Sequence, residues 1–190
     1  SDRVAAYVPN KIESVICFLA CAKNGLIWSS CSPDFGIQGV VDRFKQIEPK
    51  ILITCDYYFY NGKKIDILEK VKEIKKNIPT IEKIIFFNYD LKNSTEAENF
   101  INFKEALQTE LDEIFERFEF DYPLYILYSS GTTGKPKCIT HGAGNVLIEH
   151  NKEFMLHCDI RDNEKIFYYT TTGWMMWNLS LIHISEPTRR

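Results

Sequence analysis

A run of ten residues combines hydroxyl, glycine and lysine side chains in a way that suits phosphate binding. Residues 128 to 137 read Tyr-Ser-Ser-Gly-Thr-Thr-Gly-Lys-Pro-Lys. Glycines permit backbone conformations that turn several N–H groups toward one point, hydroxyls donate hydrogen bonds, and lysines offset negative charge. The predicted chemistry is therefore the handling of a nucleotide polyphosphate. The candidate phosphate-binding residues are Ser129, Ser130, Gly131, Thr132, Thr133, Gly134, Lys135 and Lys137.

The run is not one of the two commonest nucleotide motifs. Gly131 and Gly134 are separated by two residues rather than four, and Lys135 precedes Pro136 rather than Ser or Thr, so this is not a Walker A loop. It does not match the dinucleotide pattern G-x-G-x-x-G either. On residue types alone a flexible surface loop is an equally good interpretation, because Ser, Thr and Gly commonly connect regular elements.

The string Tyr-Ser-Ser-Gly-Thr-Thr-Gly-x-Pro-Lys, followed by His141, strongly resembles the phosphate loop of the adenylate-forming enzymes. That family includes acyl-CoA synthetases, luciferases and peptide-synthetase adenylation domains. Over about residues 1–180 the chain looks like the acetoacetyl-CoA synthetase branch, in the strings at 33–36, 42–44, 121–126, 136–142 and 172–178. Acetyl-CoA synthetases lack the Pro-Asp-Phe-Gly and Met-Met-Trp strings, and most of the superfamily has glycine where this chain has Cys138. Both differences favour the acetoacetate branch.

The resemblance implies a two-step reaction with ATP, magnesium and coenzyme A. Acetoacetate and ATP would give acetoacetyl-adenylate and pyrophosphate, and coenzyme A would then form the thioester. The hydroxyl and glycine residues 129–134 would wrap the β and γ phosphates, with Lys135 and Lys137 offsetting charge on the leaving pyrophosphate. The catalytic candidates on this basis are Thr132, Thr133 and Lys137. A synthetase for another short acid, such as acetate or propionate, is the alternative within the enzymes.

Trp174 matches the family's Gly-Trp segment near the acyl pocket, where a flat aromatic wall could limit substrate length. A buried core position is the competing interpretation and stays open. Trp177, Met175 and Met176 are expected to lie in the core. His141 can be structural or catalytic, whereas His150 and His157 are expected on a helix surface. The resemblance offers no protein ligands for a metal.

The regular elements that would position these residues alternate between strands and helices. Asn10 and Glu13 have the spacing of a reciprocal capping pair at a helix start, and Gly25 suits its end. Such alternation predicts an α/β fold with a largely parallel sheet flanked by helices, as part of the large domain of the adenylate-forming fold. Strands are predicted at 4–8, 51–54, 81–87, 124–128, 137–140 and 166–170, and helices after residue 10 and at 36–47, 66–77 and 145–157.

The charge of the chain argues against a nucleic-acid or anionic-membrane partner bound by bulk charge and names no partner by itself, whereas the resemblance implies acetoacetate, ATP and coenzyme A as small-molecule substrates. The chain of 190 residues has 23 basic and 26 acidic residues, a net charge of −3. Lysines in the 66–77 helix have acidic partners at helical spacing: Asp66 with Lys70, Glu69 with Lys72, and Glu73 with Lys76. Residues 90–99 are expected to form a surface excursion. The acidic segment that ends at residue 121 is expected to include a helix with Leu111, Ile114, Phe115 and Phe118 on its apolar side.

Several features point to a cytosolic protein. The longest apolar stretch, 15–22, is far shorter than the roughly 18 to 20 residues of a membrane-spanning helix, and no signal peptide is evident. The six cysteines have no spacing suited to zinc, and we expect reduced, mostly buried thiols. The sequence predicts no oligomeric state.

Both ends of the sequence predict a piece of a longer protein. Ser1 is not methionine, and residues 181–190 depart from the family pattern, whose later motifs are missing. We therefore expect residues 1–180 to be a fragment of the N-terminal AMP-binding domain, followed by a non-native tail at 181–190. This chain alone is expected to be inactive. A truncated, non-catalytic nucleotide-binding product is the alternative outside the enzymes.

Overall fold

The computed structural model describes residues 1–87, 100–108, 116–129, 134–161 and 163–178. Strands and helices alternate along most of this length. The strands are β1 (Arg3–Tyr7), β2 (Ile27–Cys31), β3 (Ile51–Cys55), β4 (Tyr57–Tyr60), β5 (Lys63–Asp66), β6 (Lys83–Phe87), β7 (Phe100–Asn102), β8 (Pro123–Ser129) and β9 (Lys137–Gly142). The helices are α1 (Ile12–Lys23), α2 (Ile37–Ile47), α3 (Leu68–Asn77), α4 (Phe103–Ala106) and α5 (Ala143–Lys152), and α5 continues as π-helix over Glu153–His157.

Seven strands form one sheet in the order β7-β6-β3-β1-β2-β8-β9, and β4 and β5 form a separate antiparallel hairpin. All neighbours in the large sheet are parallel except β8 and β9. This confirms the predicted mostly parallel α/β sheet. Because parallel strands end at the same edge, the carboxyl ends of β1, β2, β3 and β8 lie together, where ligands of such sheets bind.

The central strands are covered on both faces. Successive strand residues point to opposite faces, yet Val4, Ala5, Ala6 and Tyr7 are all buried. On one side Phe18 of α1 packs edge to face on Trp28 of β2, with ring centres 5.7 Å apart. Burial on both faces is typical of parallel sheets flanked by helices. The strands β1 and β2 therefore form a rigid platform below their carboxyl ends.

The predicted capping pair at the start of α1 is wrong. The helix begins at Ile12 with Lys11 as N-cap, and no side chain caps it. The side chain of Asn10 instead accepts a hydrogen bond from the indole of Trp177. The end of the helix is as predicted, because Gly25 follows it with a φ of 62°, a left-handed conformation that glycine adopts without strain.

The predicted helices at 36–47 and 66–77 are both present, in slightly shorter form. In α2 the residues Val40, Val41, Phe44 and Ile47 are buried, as predicted. Ion pairs join Lys72 to Glu69 and Lys76 to Glu73 in α3. The third predicted partner, Asp66, accepts from the backbone N–H of Leu68 instead. The strand β2 was not predicted, because its polar serines hide a segment that is buried throughout.

The predicted strand at 166–170 is wrong. In the described part of the chain these residues pair with no other strand, and Phe167 and Tyr169 are more than 80% exposed. A strand forms only where a neighbour accepts its backbone hydrogen bonds, so local propensity was insufficient. His150 is a second correction, because it is buried in α5 rather than on the surface.

Other predictions lie partly or wholly outside the described residues. The excursion at 90–99 and residues 111–115 of the acidic helix belong to this group, as does the tail at 181–190. Residues 116–119 are described and are not helical. None of the helices in the described ranges has the length and apolarity to cross a bilayer.

Candidate functional site

The candidate phosphate loop leaves the sheet at the carboxyl end of β8. Ser129 is the last residue of β8 and stands opposite Lys137, the first residue of β9. The hydroxyl of Ser29 on β2 donates to the carbonyl of Ile126 at 2.9 Å, and its oxygen lies 3.1 Å from the hydroxyl of Tyr128, within hydrogen-bond distance. These bonds tie β8 to the platform strand immediately before the loop begins. The loop therefore starts and returns at a well-anchored edge of the sheet.

The returning end of the loop carries two exposed positive charges. Lys135 and Lys137 are exposed, and Ser129 is half-buried. Gly134 has a φ of +125°, a conformation that L side chains rarely adopt, and open space lies where a side chain would begin. Ser130, Gly131, Thr132 and Thr133 lie outside the described residues. The structure thus defines both ends of the loop, and an anion in solution can reach them.

Two side chains of α2 contact the loop ends. Arg43 lies in the family string at 42–44, without a predicted role, and Gln46 was not singled out from the sequence. The guanidinium of Arg43 lies 5.7 Å from the ring centre of Tyr128, and the amide of Gln46 donates to the carbonyl of Pro136 at 2.8 Å. Their three-residue spacing places both on one helix face. Neither this spacing nor the string at 42–44 carries information about a contact some ninety residues away.

Trp174 lies on a turn that is fixed to the carboxyl ends of β1 and β2. The hydroxyl of Thr172 donates to the carbonyl of Val8, and the carbonyl of Thr172 accepts from the hydroxyl of Ser30, both at 2.6 Å. Trp174 itself is 65% exposed. The core interpretation of Trp174 is therefore wrong, and the indole stands at the same sheet edge as the loop that leaves β8.

Residues around Trp174 divide into an exposed and a buried group. Met175 and Met176 are exposed, at 52% and 37%, so their predicted core positions are wrong. Trp177 is buried, as predicted, and stacks on Trp28 with ring centres 6.3 Å apart. Three residues after the exposed indole of Trp174, the buried ring of Trp177 thus fixes this segment to the core.

The turn after β2 packs against Gly173, the residue before Trp174. A side chain at Gly173 would approach the ring of Phe35 to 3.1 Å and the backbone nitrogen of Ser32 to 3.2 Å, so only glycine fits without displacement. The hydroxyl of Tyr7 lies 2.8 Å from the carbonyl oxygen of Pro33 and 2.9 Å from that of Phe35, and these two acceptors share its single proton. Burial raises the pKa of Tyr7, so this hydroxyl remains a donor. The family strings at 33–36 and 172–178 are therefore packed against each other.

Asp34 completes this turn. Its carboxylate accepts from the hydroxyl of Ser32 at 2.8 Å. Burial and a hydrogen bond to Asp34 raise the pKa of Tyr58 to about 12. The turn is therefore held by side-chain hydrogen bonds from its own residues and from the β4–β5 hairpin.

His141 lies on β9, with its ring centre 5.0 Å from that of Tyr125. Burial lowers its pKa below the ordinary value of 6.5, which favours the neutral imidazole. This contact supports a packing role and shows no catalytic one. His157 is exposed, as predicted. Within the described ranges, no three His, Cys, Asp or Glu side chains are grouped to hold a metal ion.

Comparisons with known proteins agree with the family resemblance of the sequence. A family model described as AMP-binding enzyme matches residues 1–186. Acetoacetyl-coenzyme A synthetase of Rhizobium meliloti (strain 1021) is 49% identical over 184 residues, which is 93% of this chain and 28% of that protein. Acetoacetyl-CoA synthetase of Gallus gallus is 46% identical, with the same shares of both chains. Malonamoyl-CoA synthetase of Penicillium aethiopicum is 41% identical over 94% of this chain and 26% of its own length.

A solved structure, acetoacetyl-CoA synthetase from Streptomyces lividans, superposes with a TM-score of 0.89 at 41% identity. It is matched over 95% of this chain and 28% of its own chain. The chain therefore spans a little over a quarter of the length of these relatives. The family match passes residue 180, so the boundary expected there stays a prediction. The long loop string, the sheet that presents it and the match over residues 1–186 agree, and the chain belongs to the AMP-binding enzyme family.

Proposed function

We propose that the protein containing this chain is an acid–thiol ligase that activates acetoacetate with ATP and transfers the acyl group to coenzyme A. The observation that carries the proposal is the pair of exposed lysines, Lys135 and Lys137, where the loop that leaves the carboxyl end of β8 returns to β9, in a chain 49% identical to an acetoacetyl-coenzyme A synthetase. Because the chain spans 28% of that relative, the activity is proposed for the complete protein.

The reaction has two steps. In each step one bond forms and one breaks, first at the α phosphorus of ATP and then at the acyl carbon. A carboxylate oxygen of acetoacetate attacks the α phosphorus of ATP, and the bond to the β-phosphate oxygen breaks to release pyrophosphate. The sulfur of coenzyme A, having lost its proton, then attacks the acyl carbon, and AMP leaves. Magnesium would enter with the nucleotide and neutralise its phosphate oxygens.

The residues of this chain would act by positioning and charge. Hydroxyls and N–H groups of residues 129–134 would hold the β and γ phosphates, with Thr132 and Thr133 as the central donors. Lys135 and Lys137, both exposed at the loop end, would stabilise the charge that grows on pyrophosphate as it leaves. Trp174 would form a wall of the acyl pocket, which its exposure at the same edge of the sheet supports.

A related acid class is supported by the malonamoyl-CoA synthetase relative at 41% identity. Acetoacetate and malonamate both carry a carbonyl group on the carbon next to the CH₂ that bears the carboxylate. Acetate and propionate lack it. We therefore propose short acids with this β-carbonyl as the substrate class, with acetoacetate first.

The test of the nucleotide assignment is acid-dependent exchange of pyrophosphate into ATP by the full-length protein of the source gene. Replacing Thr132 and Thr133 together by alanine is expected to reduce exchange about 100-fold or more, since preorganised donors to phosphate are lost. Thr140→Ala is the matched control, because Thr140 is an exposed threonine on β9 outside the loop. Unchanged exchange in the double variant would overturn the assignment.

The test of the acid class is the same exchange with acetoacetate, malonamate, acetate and propionate. A β-carbonyl class requires that the first two acids give much higher kcat/KM than the last two. Equal or higher kcat/KM with acetate or propionate would favour the alternative synthetase. No exchange with any acid, together with ATP binding, would favour a non-catalytic nucleotide-binding product.

The location proposed for the protein is the cytosol. All six cysteines are free, and four of them are buried. Unpaired thiols are typical of proteins that fold in reducing compartments. Fractionation of source cells with an antibody to the protein would test this, and recovery in an organelle fraction would contradict it.

A further inference from the structure

The carbonyl of Pro136 is held by a side chain from α2. The amide nitrogen of Gln46 donates to it at 2.8 Å, across ninety residues of sequence. Pro136 lies between Lys135 and Lys137, the two lysines proposed to face the phosphates. Proline has no N–H group, so its carbonyl is the only hydrogen-bonding group by which its backbone can be fixed. The contact therefore fixes the backbone between Lys135 and Lys137, on which the positions of both side chains depend.

The amide of Gln46 is itself oriented before it reaches the loop. Its nitrogen also donates to the backbone carbonyl of Asp42, four residues earlier in α2, at 2.6 Å. An amide NH₂ has two donor hydrogens, so both bonds can form together. The exposed side chain of Gln46 therefore forms a bracket between its own helix and Pro136.

The same face of α2 contacts the other end of the loop. Arg43 is three residues before Gln46, and its guanidinium lies 4.8 Å from the ring centre of Phe35 and 5.7 Å from that of Tyr128. It also donates to the carbonyl of Gly39 at 2.7 Å. Tyr128 immediately precedes Ser129, the first loop residue. One helix face thus contacts the chain on both sides of residues 129–135.

We propose that Gln46 is a positioning residue for the phosphate loop, which it holds to α2 while Arg43 packs at the opposite end. The inference rests on the proposed function, since it takes the loop to bind ATP. Fixing the described ends of a segment on one helix lowers the conformational entropy that must be lost when a ligand binds between those ends. Gln46 touches no substrate and acts through the position of Lys135 and Lys137.

The chain supplies a matched control for this role. Gln38 is an exposed glutamine on the same helix, and its amide donates to the carboxylate of Asp42 at 2.8 Å. Both glutamines therefore bond to Asp42, and of the two Gln46 is the one that bonds to a described residue of the loop. Comparing Gln46→Ala with Gln38→Ala separates the contact with Pro136 from a general effect on α2.

The experiment measures acetoacetate-dependent pyrophosphate exchange by the full-length protein. Gln46→Ala is expected to raise KM for ATP about fivefold, the effect of losing one hydrogen bond. KM for acetoacetate and the melting temperature should match those of Gln38→Ala. Gln46→Lys, which retains a donor of similar reach, should restore part of the affinity for ATP.

A second readout does not depend on activity. Trypsin cuts poorly at the Lys135–Pro136 bond but can cut after Lys137, so cleavage there reports release of the loop end. Faster cleavage in Gln46→Ala than in Gln38→Ala is expected. Identical KM for ATP in the two variants overturns the positioning role. If the unmodified protein shows no pyrophosphate exchange, the proposed function fails. Equal rates of cleavage in the two variants would separately show that Gln46 does not hold the loop end.

Discussion

The indole nitrogen of Trp177 donates a hydrogen bond to the side-chain oxygen of Asn10 at 2.9 Å, joining segments 167 residues apart. Asn10 follows the carboxyl end of β1, and Trp177 closes the segment that carries Trp174. The bond therefore connects the last described helical turn to the centre of the sheet. It also explains why Asn10 does not cap α1.

Replacing Asn10 by alanine is expected to destabilise the chain by about 1 to 3 kcal/mol. The indole N–H of Trp177 would lose the partner that offsets its removal from water. Urea unfolding followed by tryptophan fluorescence measures the free energy of unfolding. A double-mutant cycle with Trp177→Phe isolates the bond, and a coupling energy near zero would show that it contributes nothing.

Replacing Gly173 by alanine is expected to shift Trp174 and weaken acid binding. The added methyl group would meet Phe35 at 3.1 Å and the backbone of Ser32 at 3.2 Å, and the backbone cannot move aside cheaply. In the full-length protein we expect KM for acetoacetate to rise several-fold, with KM for ATP little changed.

The control for this substitution is Gly36→Ala in the turn that faces Gly173. Nothing lies within 4 Å of the position a side chain would take at Gly36, and its φ of −65° suits any residue. This variant should therefore retain KM for acetoacetate. An equal change in both variants would refute a specific contact between Gly173 and Phe35.

The stability of the chain is expected to depend on the protonation of His141. Burial lowers its pKa in the folded state below 6.5, so between that lowered value and about 6.5 the unfolded chain binds more protons. The free energy of unfolding should therefore rise with pH through this window and fall as the solution is acidified.

Urea unfolding at several pH values between 5 and 8 measures this slope. His141→Gln should give a shallower slope in the same window, because the titrating group is removed. His157→Gln is the control, since this histidine is exposed. A slope that His141→Gln leaves unchanged would assign the pH dependence to other groups.

The six thiols are expected to react in two groups. Cys138 and Cys158 are exposed, although partial burial also raises the pKa of Cys138. Burial raises the pKa of Cys17, Cys21 and Cys31 to about 12. Burial also raises the pKa of Cys55. Because the thiolate is the reactive form, the buried group should be modified at least about 100-fold more slowly at pH 8.

A thiol-reactive dye counts the two groups directly. Two thiols per chain should react rapidly in the native state, and all six after unfolding in urea. Cys138→Ser should remove one rapid equivalent. Rapid reaction of four or more thiols in the native chain would show that α1 and the central strands are not packed as described.

Local sequence determined the elements and the loop that they present. The apolar spacing of α2 and the short apolar runs of β1, β3 and β8 predicted their positions, because helix and strand periodicities are set by local geometry. The string at residues 128–137 predicted a phosphate loop for a similar reason, since Gly, Ser, Thr and Lys carry their chemistry wherever they stand. Residues 130–133 of that loop lie outside the described residues, so their placement stays a prediction.

Only the tertiary structure decided which distant residues meet. No local pattern shows that Gln46 reaches Pro136, that Asn10 accepts from Trp177, or that Gly173 faces Phe35. The strand predicted at 166–170 was wrong for the same reason. A strand needs a neighbouring strand to pair with, and local propensity carries no information about that neighbour. Strand order and packing bring these segments together, and such contacts depend on the whole sheet rather than on the residues beside them in sequence.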